Sequence, residues 1–174
     1  MLIHAGTGAV GQAAIAIAFD YECEVFTTVS SQEKRDFLRK KFPQFKDYHF
    51  ASSRSTSFEQ HIQRVTNGRG VDIVLNSLSG DMLQASIRCL ALHGRFLEIG
   101  KMDFVHNSNL GMAVFLKNIS FHGILLDAII DPISGNKRDW LKCASMLKDG
   151  IRRGVVKPLN YQIFSPNMVE DAFR

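Results

Sequence analysis

Short hydrophobic runs alternate along this chain with longer segments of helix-forming or amphipathic sequence. The pattern predicts strands at 2–5, 24–29, 48–51, 71–75, 95–99 and 119–126. It predicts helices at 9–19, 32–41, 57–66, 81–91 and 137–153, with a shorter one near 110–117. Strands that alternate with helices indicate parallel strands joined by crossover helices. We therefore expect an α/β fold, a Rossmann-like doubly wound parallel sheet with flanking helices.

The pattern changes after Gly154, where 155–159 and 161–164 are predicted to be strands outside the main sheet. Loops are predicted at 52–56, 67–70, 103–109 and 131–136, the last marked by Pro132, Gly135 and Asn136. We therefore divide the chain into a domain at 1–154 and a separate segment at 155–174. Because the first strand begins at the start of the chain and the last segment stops within a pattern, we expect a piece of a larger protein.

A glycine-rich segment joins the first predicted strand to the first predicted helix. It consists of Gly6, Thr7, Gly8, Ala9, Val10 and Gly11, a Gly-x-Gly-x-x-Gly motif in the context that dinucleotide binding requires. In such a motif Gly6 allows the tight turn, Gly8 lets a pyrophosphate approach the backbone, and Gly11 lets the helix pack closely. The N–H groups at the start of the helix then face the phosphates. The alternative is a glycine-rich turn that binds nothing.

The end of the second predicted strand indicates which dinucleotide is bound. An NAD site has an acidic residue near this position to hold the ribose 2′-hydroxyl. This chain instead has Ser30 and Ser31, followed by Lys34 and Arg35. Hydroxyl donors and positive charge suit a 2′-phosphate, so we predict NADP(H). The alternative is that the two basic residues belong to an ordinary solvated helix face.

The ends of the later strands supply further candidates, because ligands of open α/β sheets lie beyond the carboxyl ends of the strands. Asn76, Ser77 and Gly100 are the cofactor-binding candidates there. Lys101 and Asp127 are the ionisable groups best placed to face a nicotinamide ring, where either could protonate a developing carbanion or enolate. The alternative makes Lys101 a solvated loop residue and Asp127 a helix cap or turn residue.

Composition narrows the function classes. The 174 residues are 45% hydrophobic, which is enough for a sizeable core. The net charge of +4 is mild and the basic residues are dispersed, so no nucleic-acid partner is expected. Three widely spaced cysteines suit a reducing compartment, and no apolar run reaches membrane-spanning length, so we expect a cytoplasmic protein. No grouping of His, Cys and Asp has metal-ligand spacing, so no metal site is predicted.

The assembled segments resemble the cofactor-binding half of the medium-chain dehydrogenase/reductase superfamily. More closely, they are similar to the enoyl reductase domain of animal type I fatty acid synthase. The matching stretches span nearly the whole chain and read LIHAGTGAVGQAAIAIA, EVFTTVSSQEKR, TSFEQHI, GVDIVLNSL, LQASIRCLALHGRFLEIGK, LGMAVFLKNISFHGILLDA and VEDAFR. One departure is Ala9, which replaces a glycine common in this family, and we expect binding to survive it.

The resemblance implies an NADPH-dependent reductase in fatty acid synthesis that needs no zinc. It implies hydride transfer to the β-carbon of a trans-2-enoyl thioester on acyl carrier protein, with a proton added to the α-carbon. The family's proposed proton donors fall on Lys101 and Asp127, and its 2′-phosphate contacts fall on the SSQEKR stretch. The resemblance further implies neighbouring synthase domains, a homodimer in the parent, and a missing substrate-binding domain to which 155–174 returns. The chain by itself is therefore expected to bind NADPH and to reduce little or nothing.

Two other functions stay open. The first is a related NADPH:quinone-type reductase, which shares the glycine loop and the 2′-phosphate site. The second is a non-catalytic nucleotide-binding or docking module of a polyketide-like multienzyme. Methyl transfer from S-adenosylmethionine also uses a glycine-rich first turn, but it usually requires an acid where this chain has Ser30 and Ser31.

Overall fold

A computed structural model describes residues 1–130 and 136–173 of the chain. Within these residues, six strands form one parallel sheet in the order β3-β2-β1-β4-β5-β6. The strands are β1 (Leu2–Ile3), β2 (Phe26–Val29), β3 (Phe50–Ser52), β4 (Val71–Asn76), β5 (Leu90–Glu98) and β6 (Ser120–Gly123). The strand order reverses between β1 and β4, and this reversal creates the crevice where doubly wound sheets bind dinucleotides. The predicted fold class is confirmed.

Eight α-helices accompany the sheet in the part of the chain that the structure describes. They are α1 (Ala9–Asp20), α2 (Gln32–Lys41), α3 (Ser57–Val65), α4 (Asp81–Arg88), α5 (Met102–Val105), α6 (Asp127–Ile130), α7 (Lys137–Arg152) and α8 (Val169–Ala172). Short 3-10 helices span Asp47–His49, Met112–Lys117 and Pro166–Met168. The first four α-helices are the crossover connections of the sheet.

Two apolar cores lie on opposite faces of the sheet. Leu2 and Ile3 are adjacent in β1 and fully buried, and each contributes to a different core because side chains alternate across a strand. One core packs α1 and α2 against the sheet through Ile15 and Leu38. The other packs α3 and α4 against it through residues that include Ile62. Burial on both faces explains why both residues of β1 are apolar.

Several predicted boundaries were wrong. The helix predicted at 81–91 ends at Arg88. The strand predicted at 95–99 begins earlier, at Leu90, so residues 90 and 91 belong to β5. The loop predicted at 103–109 contains most of α5, and the helix predicted at 110–117 is a 3-10 helix. The loop predicted at 131–136 lies outside the described residues except for Asn136, which caps α7 by accepting from two backbone N–H groups.

The strands predicted at 155–159 and 161–164 are absent from the structure, which describes these residues as irregular chain. A strand needs a hydrogen-bonded neighbour for its backbone, and this segment has no ladder partner among the described residues. Just before this segment, the Arg153 guanidinium at the end of α7 donates to Asp20 of α1 over 2.7 Å. The apolar side chains that indicated strands stay mostly exposed, with Tyr161 79% and Ile163 82% exposed.

Candidate functional site

The residues predicted to bind a ligand lie at one edge of the sheet. Because all six strands are parallel, their carboxyl ends meet along this edge. The glycine loop follows β1, Ser30 follows β2, and Ser77 follows β4. Lys101 lies three residues beyond β5, and Asp127 begins α6 beyond β6. The fold therefore places every predicted site segment on the side where open α/β sheets bind their ligands.

The glycine loop begins with a backbone turn at Ala5, which has a positive φ of +51°. We predicted that Gly6 allows the tight turn out of the strand. Its surroundings agree with a need for glycine there, since a Cβ at Gly6 would collide with the Thr27 hydroxyl. Gly11 matches its predicted role, because a Cβ there would lie 2.5 Å from the Ala5 carbonyl oxygen and 2.7 Å from the Gly6 Cα.

The first turn of α1 has free backbone donors. Gly8 is the N-cap residue and has no side chain with which to cap the helix. The first turn contains no acidic residue, and Val10 is 57% exposed beside it. The unpaired N–H groups and the positive end of the helix dipole favour a bound anion. This geometry fits the pyrophosphate of a dinucleotide.

A cluster of hydroxyl and basic groups lies beyond β2. The Lys34 ammonium donates to the Ser30 hydroxyl over 3.0 Å, and the Ser31 hydroxyl accepts from the Lys34 N–H at the start of α2. Arg54 comes from the loop after β3, and its Nε donates to the Ser30 carbonyl oxygen over 3.2 Å. The Arg35 guanidinium lies 5.8 Å from the centre of the Phe50 ring.

Arg54 is a candidate that the sequence analysis missed. The sequence feature that could have indicated it is the Ser52-Ser53-Arg54 run after the third strand, which we predicted only as part of a loop. The run lies next to Ser30 because β2 and β3 are neighbours in the sheet. Lys34, Arg35 and Arg54 therefore lie at the ends of two neighbouring strands, and their role at a 2′-phosphate stays a prediction.

Lys101 and Asp127, the two candidate proton donors, are in direct contact. The Lys101 ammonium donates to an Asp127 carboxylate oxygen over 2.5 Å. Their side chains are 53% and 71% exposed, so both remain accessible to a substrate. Asp127 is also the first residue of α6, which agrees with the alternative that it occupies a helix terminus. The ion pair and the helix position are compatible, and the assignment of both residues as proton donors stays a prediction.

A buried carboxylate that the sequence analysis did not single out joins the ends of β4 and β5. Glu98 is 2% exposed and accepts from the Asn76 side-chain amide and from the Gly100 N–H, each over 2.5 Å. Asn76 also donates to the Leu78 carbonyl oxygen, and burial raises the pKa of Glu98 above its usual range. The predicted binding residues Asn76 and Gly100 are thus held by one side chain that lies behind them.

The Asn76 side-chain amide has one buried atom that forms no hydrogen bond with any other described residue. Its Oδ1 is buried and accepts no hydrogen bond within residues 1–130 and 136–173. A buried acceptor without a donor is unusual in folded proteins. Its position at the end of β4, beside the strand-order reversal, agrees with its prediction as a cofactor-binding residue.

The described residues do not form a metal site. Within 1–130 and 136–173, no group of three His, Cys, Asp or Glu side chains is arranged to hold a metal ion. None of the described helices is long and apolar enough to cross a membrane.

Comparison with known proteins identifies the family of the chain. The family model described as zinc-binding dehydrogenase matches residues 9–148. The highly reducing polyketide synthase frbB from Dothideomycetidae sp. is 42% identical over 174 residues, which are 100% of this chain and 6% of the synthase. The relatives found include this synthase and other polyketide synthases, so they support an enoyl reductase of that class and not specifically one from animal fatty acid synthase.

Solved structures match the fold over nearly the whole chain. The CurK enoyl reductase is 32% identical with a TM-score of 0.79, and the match covers 99% of this chain and 49% of that one. The nucleotide-binding subdomain of the enoylreductase domain of PpsC from Mycobacterium tuberculosis is 35% identical with a TM-score of 0.77. That match covers 91% of this chain and 84% of the PpsC subdomain. The chain thus spans about half of one relative and most of a separately solved subdomain.

Proposed function

The chain belongs to the zinc-binding dehydrogenase family, and we propose that it is the NADPH-binding part of an enoyl-thioester reductase in a polyketide-type synthase. The observation that carries this proposal is the shared sheet edge. The glycine loop follows β1, the Ser30–Lys34–Arg54 cluster follows β2 and β3, and the Lys101–Asp127 pair follows β5 and β6. The described residues supply no zinc site, so no step is assigned to zinc.

The binding part of the mechanism follows from the geometry of the strand ends. The N–H groups at the start of α1 hold the pyrophosphate, and Gly8 allows its close approach. Lys34, Arg35 and Arg54 bind the 2′-phosphate, because charge-assisted hydrogen bonds are the strong ones. When bound, the nicotinamide supplies a hydride to the β-carbon of a trans-2-enoyl thioester. Asn76 and Gly100, held by Glu98, would border the ring.

Lys101 and Asp127 complete the proposed reaction by delivering a proton to the α-carbon. Addition of hydride at the β-carbon leaves negative charge on the α-carbon and the thioester oxygen. An ammonium group carries three N–H donors, and Asp127 accepts only one from Lys101. Lys101 therefore donates a proton toward the α-carbon while Asp127 orients it, and solvent returns the proton to the exposed lysine.

The proposed function is tested in a longer protein that contains the substrate-binding domain. NADPH oxidation is followed with a trans-2-enoyl thioester carried on pantetheine or acyl carrier protein, and separately with a quinone. Turnover of the thioester without turnover of the quinone is the expected result. Turnover of the quinone alone would support the quinone-type reductase, and no turnover of either by a protein that binds NADPH would support a docking module.

The partners proposed with this function are an acyl carrier protein, neighbouring synthase domains and a second copy in the parent. The similarity to a small segment of frbB supports a multidomain parent. A fatty acid synthase, the class expected from sequence resemblance, would share the same reaction on straight-chain 2-enoyl groups. Comparing straight-chain 2-enoyl thioesters with methyl-branched or polyketide-type ones distinguishes the two parents, and light scattering of the longer protein tests the dimer.

A further inference from the structure

Ala5 controls the shape of the glycine loop. It lies just after β1 and has a φ of +51°, a left-handed conformation that is unfavourable for alanine. Its carbonyl oxygen accepts from the Gly8 N–H over 2.9 Å and lies where it would contact any Cβ on Gly11. If Ala5 returned to an ordinary conformation, this carbonyl would move and the start of α1 would lose its present position.

A line of hydrogen bonds leads from Ala5 into the protein interior. The Ala5 N–H donates to the Thr28 hydroxyl over 3.2 Å, and this hydroxyl also lies 3.2 Å from Nδ1 of His4. Nε2 of His4 lies 2.8 Å from the Ser86 hydroxyl. The Ser86 hydroxyl donates to the Met82 carbonyl oxygen over 2.6 Å. The line thus joins β1, β2 and α4.

The chemistry of these groups fixes the direction of every bond. Ser86 has one hydroxyl hydrogen and gives it to Met82, so Nε2 of His4 must be the donor to Ser86. A neutral imidazole has one N–H, so Nδ1 accepts from the Thr28 hydroxyl, which in turn accepts from Ala5. Burial lowers the pKa of His4 to about 4, which keeps the imidazole neutral near pH 7.

We propose that Thr28, His4 and Ser86 are positioning residues for dinucleotide binding, which act by holding Ala5 in the left-handed conformation that shapes the glycine loop. None of the three needs to touch the ligand. Thr28 and Ser86 are fully buried and His4 is 4% exposed. The inference rests on the proposed function, because it names residues that prepare the same NADPH site.

Two substitutions at Thr28 separate positioning from packing. Thr28→Val keeps the size of the side chain and removes the hydroxyl, so Ala5 loses its acceptor. A smaller fraction of the molecules then has the loop conformation that binds NADPH, so we expect the NADPH Kd to rise roughly tenfold. Thr28→Ser keeps the hydroxyl and loses a buried methyl group. It should lower the Tm while leaving the NADPH Kd within about twofold of wild type.

A third variant tests whether the effect passes through Ala5. Glycine adopts positive φ without a steric cost, so Ala5→Gly should restore most of the affinity that Thr28→Val removes. Ser86→Ala provides an independent position on the same line, since it leaves Nε2 of His4 without its acceptor. It should weaken NADPH binding by about threefold, and it remains informative if Thr28→Val does not fold.

The measurements are nucleotide fluorescence titration for Kd and thermal unfolding for Tm, both on the 174-residue chain. The inference is overturned if Thr28→Val or, where that variant is unfolded, Ser86→Ala binds NADPH like wild type. It is also overturned if Thr28→Ser weakens binding as much as Thr28→Val, or if Ala5→Gly restores nothing. Absence of NADPH binding by the folded wild-type chain would instead overturn the proposed function.

Discussion

The Lys101 ammonium and the Asp127 carboxylate, which are 26 residues apart in sequence, form a 2.5 Å hydrogen bond at the ligand edge of the sheet. Lys101 follows β5 and Asp127 follows β6, so the pairing of these two parallel strands brings the side chains together. Both are more than half exposed, and exposed ion pairs contribute little to folding stability. The proposed role in proton transfer therefore does not compete with a large role in stability.

The first prediction concerns this ion pair. Lys101→Met combined with Asp127→Asn removes the proposed proton donor and the carboxylate that orients it, and we expect the enoyl-thioester reductase rate of the longer protein to fall by about 10²- to 10⁴-fold. The NADPH Kd should change by less than about twofold, because neither group faces the phosphates in the proposed site. Steady-state kinetics and nucleotide titration measure the two effects.

A matched control exists at the opposite edge of the sheet. Arg69 and Asp72 also form an exposed ion pair, near the start of β4. Arg69→Met combined with Asp72→Asn removes the same charges and should leave the reductase rate unchanged. An unchanged rate in the Lys101 and Asp127 double variant would remove this pair from the mechanism.

The second prediction concerns the 2′-phosphate. Lys34 and Arg54 both contact Ser30, where the 2′-phosphate is proposed to bind. Lys34→Ala and Arg54→Ala should each weaken NADPH binding by about tenfold, since each would remove a charge-assisted hydrogen bond of the proposed site. NADH has no phosphate there, so its Kd should stay within about twofold of wild type. Lys40→Ala removes the same charge from an exposed position near the other end of α2 and serves as the control. Parallel losses of NADPH and NADH affinity would contradict the assignment.

The third prediction concerns two small residues of the glycine loop. A Cβ at Gly11 would meet backbone atoms at 2.5 Å and 2.7 Å, which cannot move aside easily, so Gly11→Ala should abolish NADPH binding and lower the Tm. Ala9 is an exposed first residue of α1, and Ala9→Gly should change the NADPH Kd by no more than about threefold. Titration and thermal unfolding of both variants provide the check, and tight binding by Gly11→Ala would show that α1 can move away from the loop.

The fourth prediction concerns the pH dependence of stability. Burial lowers the pKa of His4 to about 4 from an ordinary value of 6.5. As the pH falls, the unfolded chain therefore takes up this proton first, and the stabilising contribution present above pH 6.5 is lost between pH 6.5 and pH 4. The loss amounts to about 3 kcal/mol and levels off below the folded pKa.

Comparison with His4→Gln isolates this contribution. Glu98 and the other titrating groups are present in both proteins, so their contributions cancel in the difference. Urea unfolding at a series of pH values should show a free energy of unfolding that falls more steeply in wild type than in His4→Gln. Equal slopes in the two proteins would mean that His4 titrates normally in the folded chain.

Much of the site followed from sequence because strand ends in a parallel sheet share one edge. The glycine motif located the turn after β1, and the apolar runs located β4 and β5 closely enough to identify Asn76 and Lys101. Arg54 and Glu98 were missed for a different reason. Their roles depend on neighbours across the sheet, Ser30 for one and Asn76 for the other, and no local pattern encodes such contacts.

The turn at Ala5 shows a second limit of the sequence. Positive φ is normally a property of glycine, so no feature of the sequence indicated that Ala5, one residue before Gly6, has a positive φ. The hydrogen bond from the Ala5 N–H to Thr28 offsets part of the steric cost, and it comes from another strand. The strands predicted at 155–159 and 161–164 were wrong for a similar reason. An apolar segment becomes a strand only when a neighbouring strand pairs with its backbone through hydrogen bonds.

Titration of the wild-type chain with NADPH and NADH, followed by nucleotide fluorescence, tests the central claim most directly. The account predicts that NADPH binds at least about tenfold more tightly than NADH, with the difference reduced by added salt because it depends on the charges around Ser30. Equal affinity for the two nucleotides would contradict the 2′-phosphate site. No binding of either by folded protein would contradict the claim that this chain is the nucleotide-binding part of a reductase.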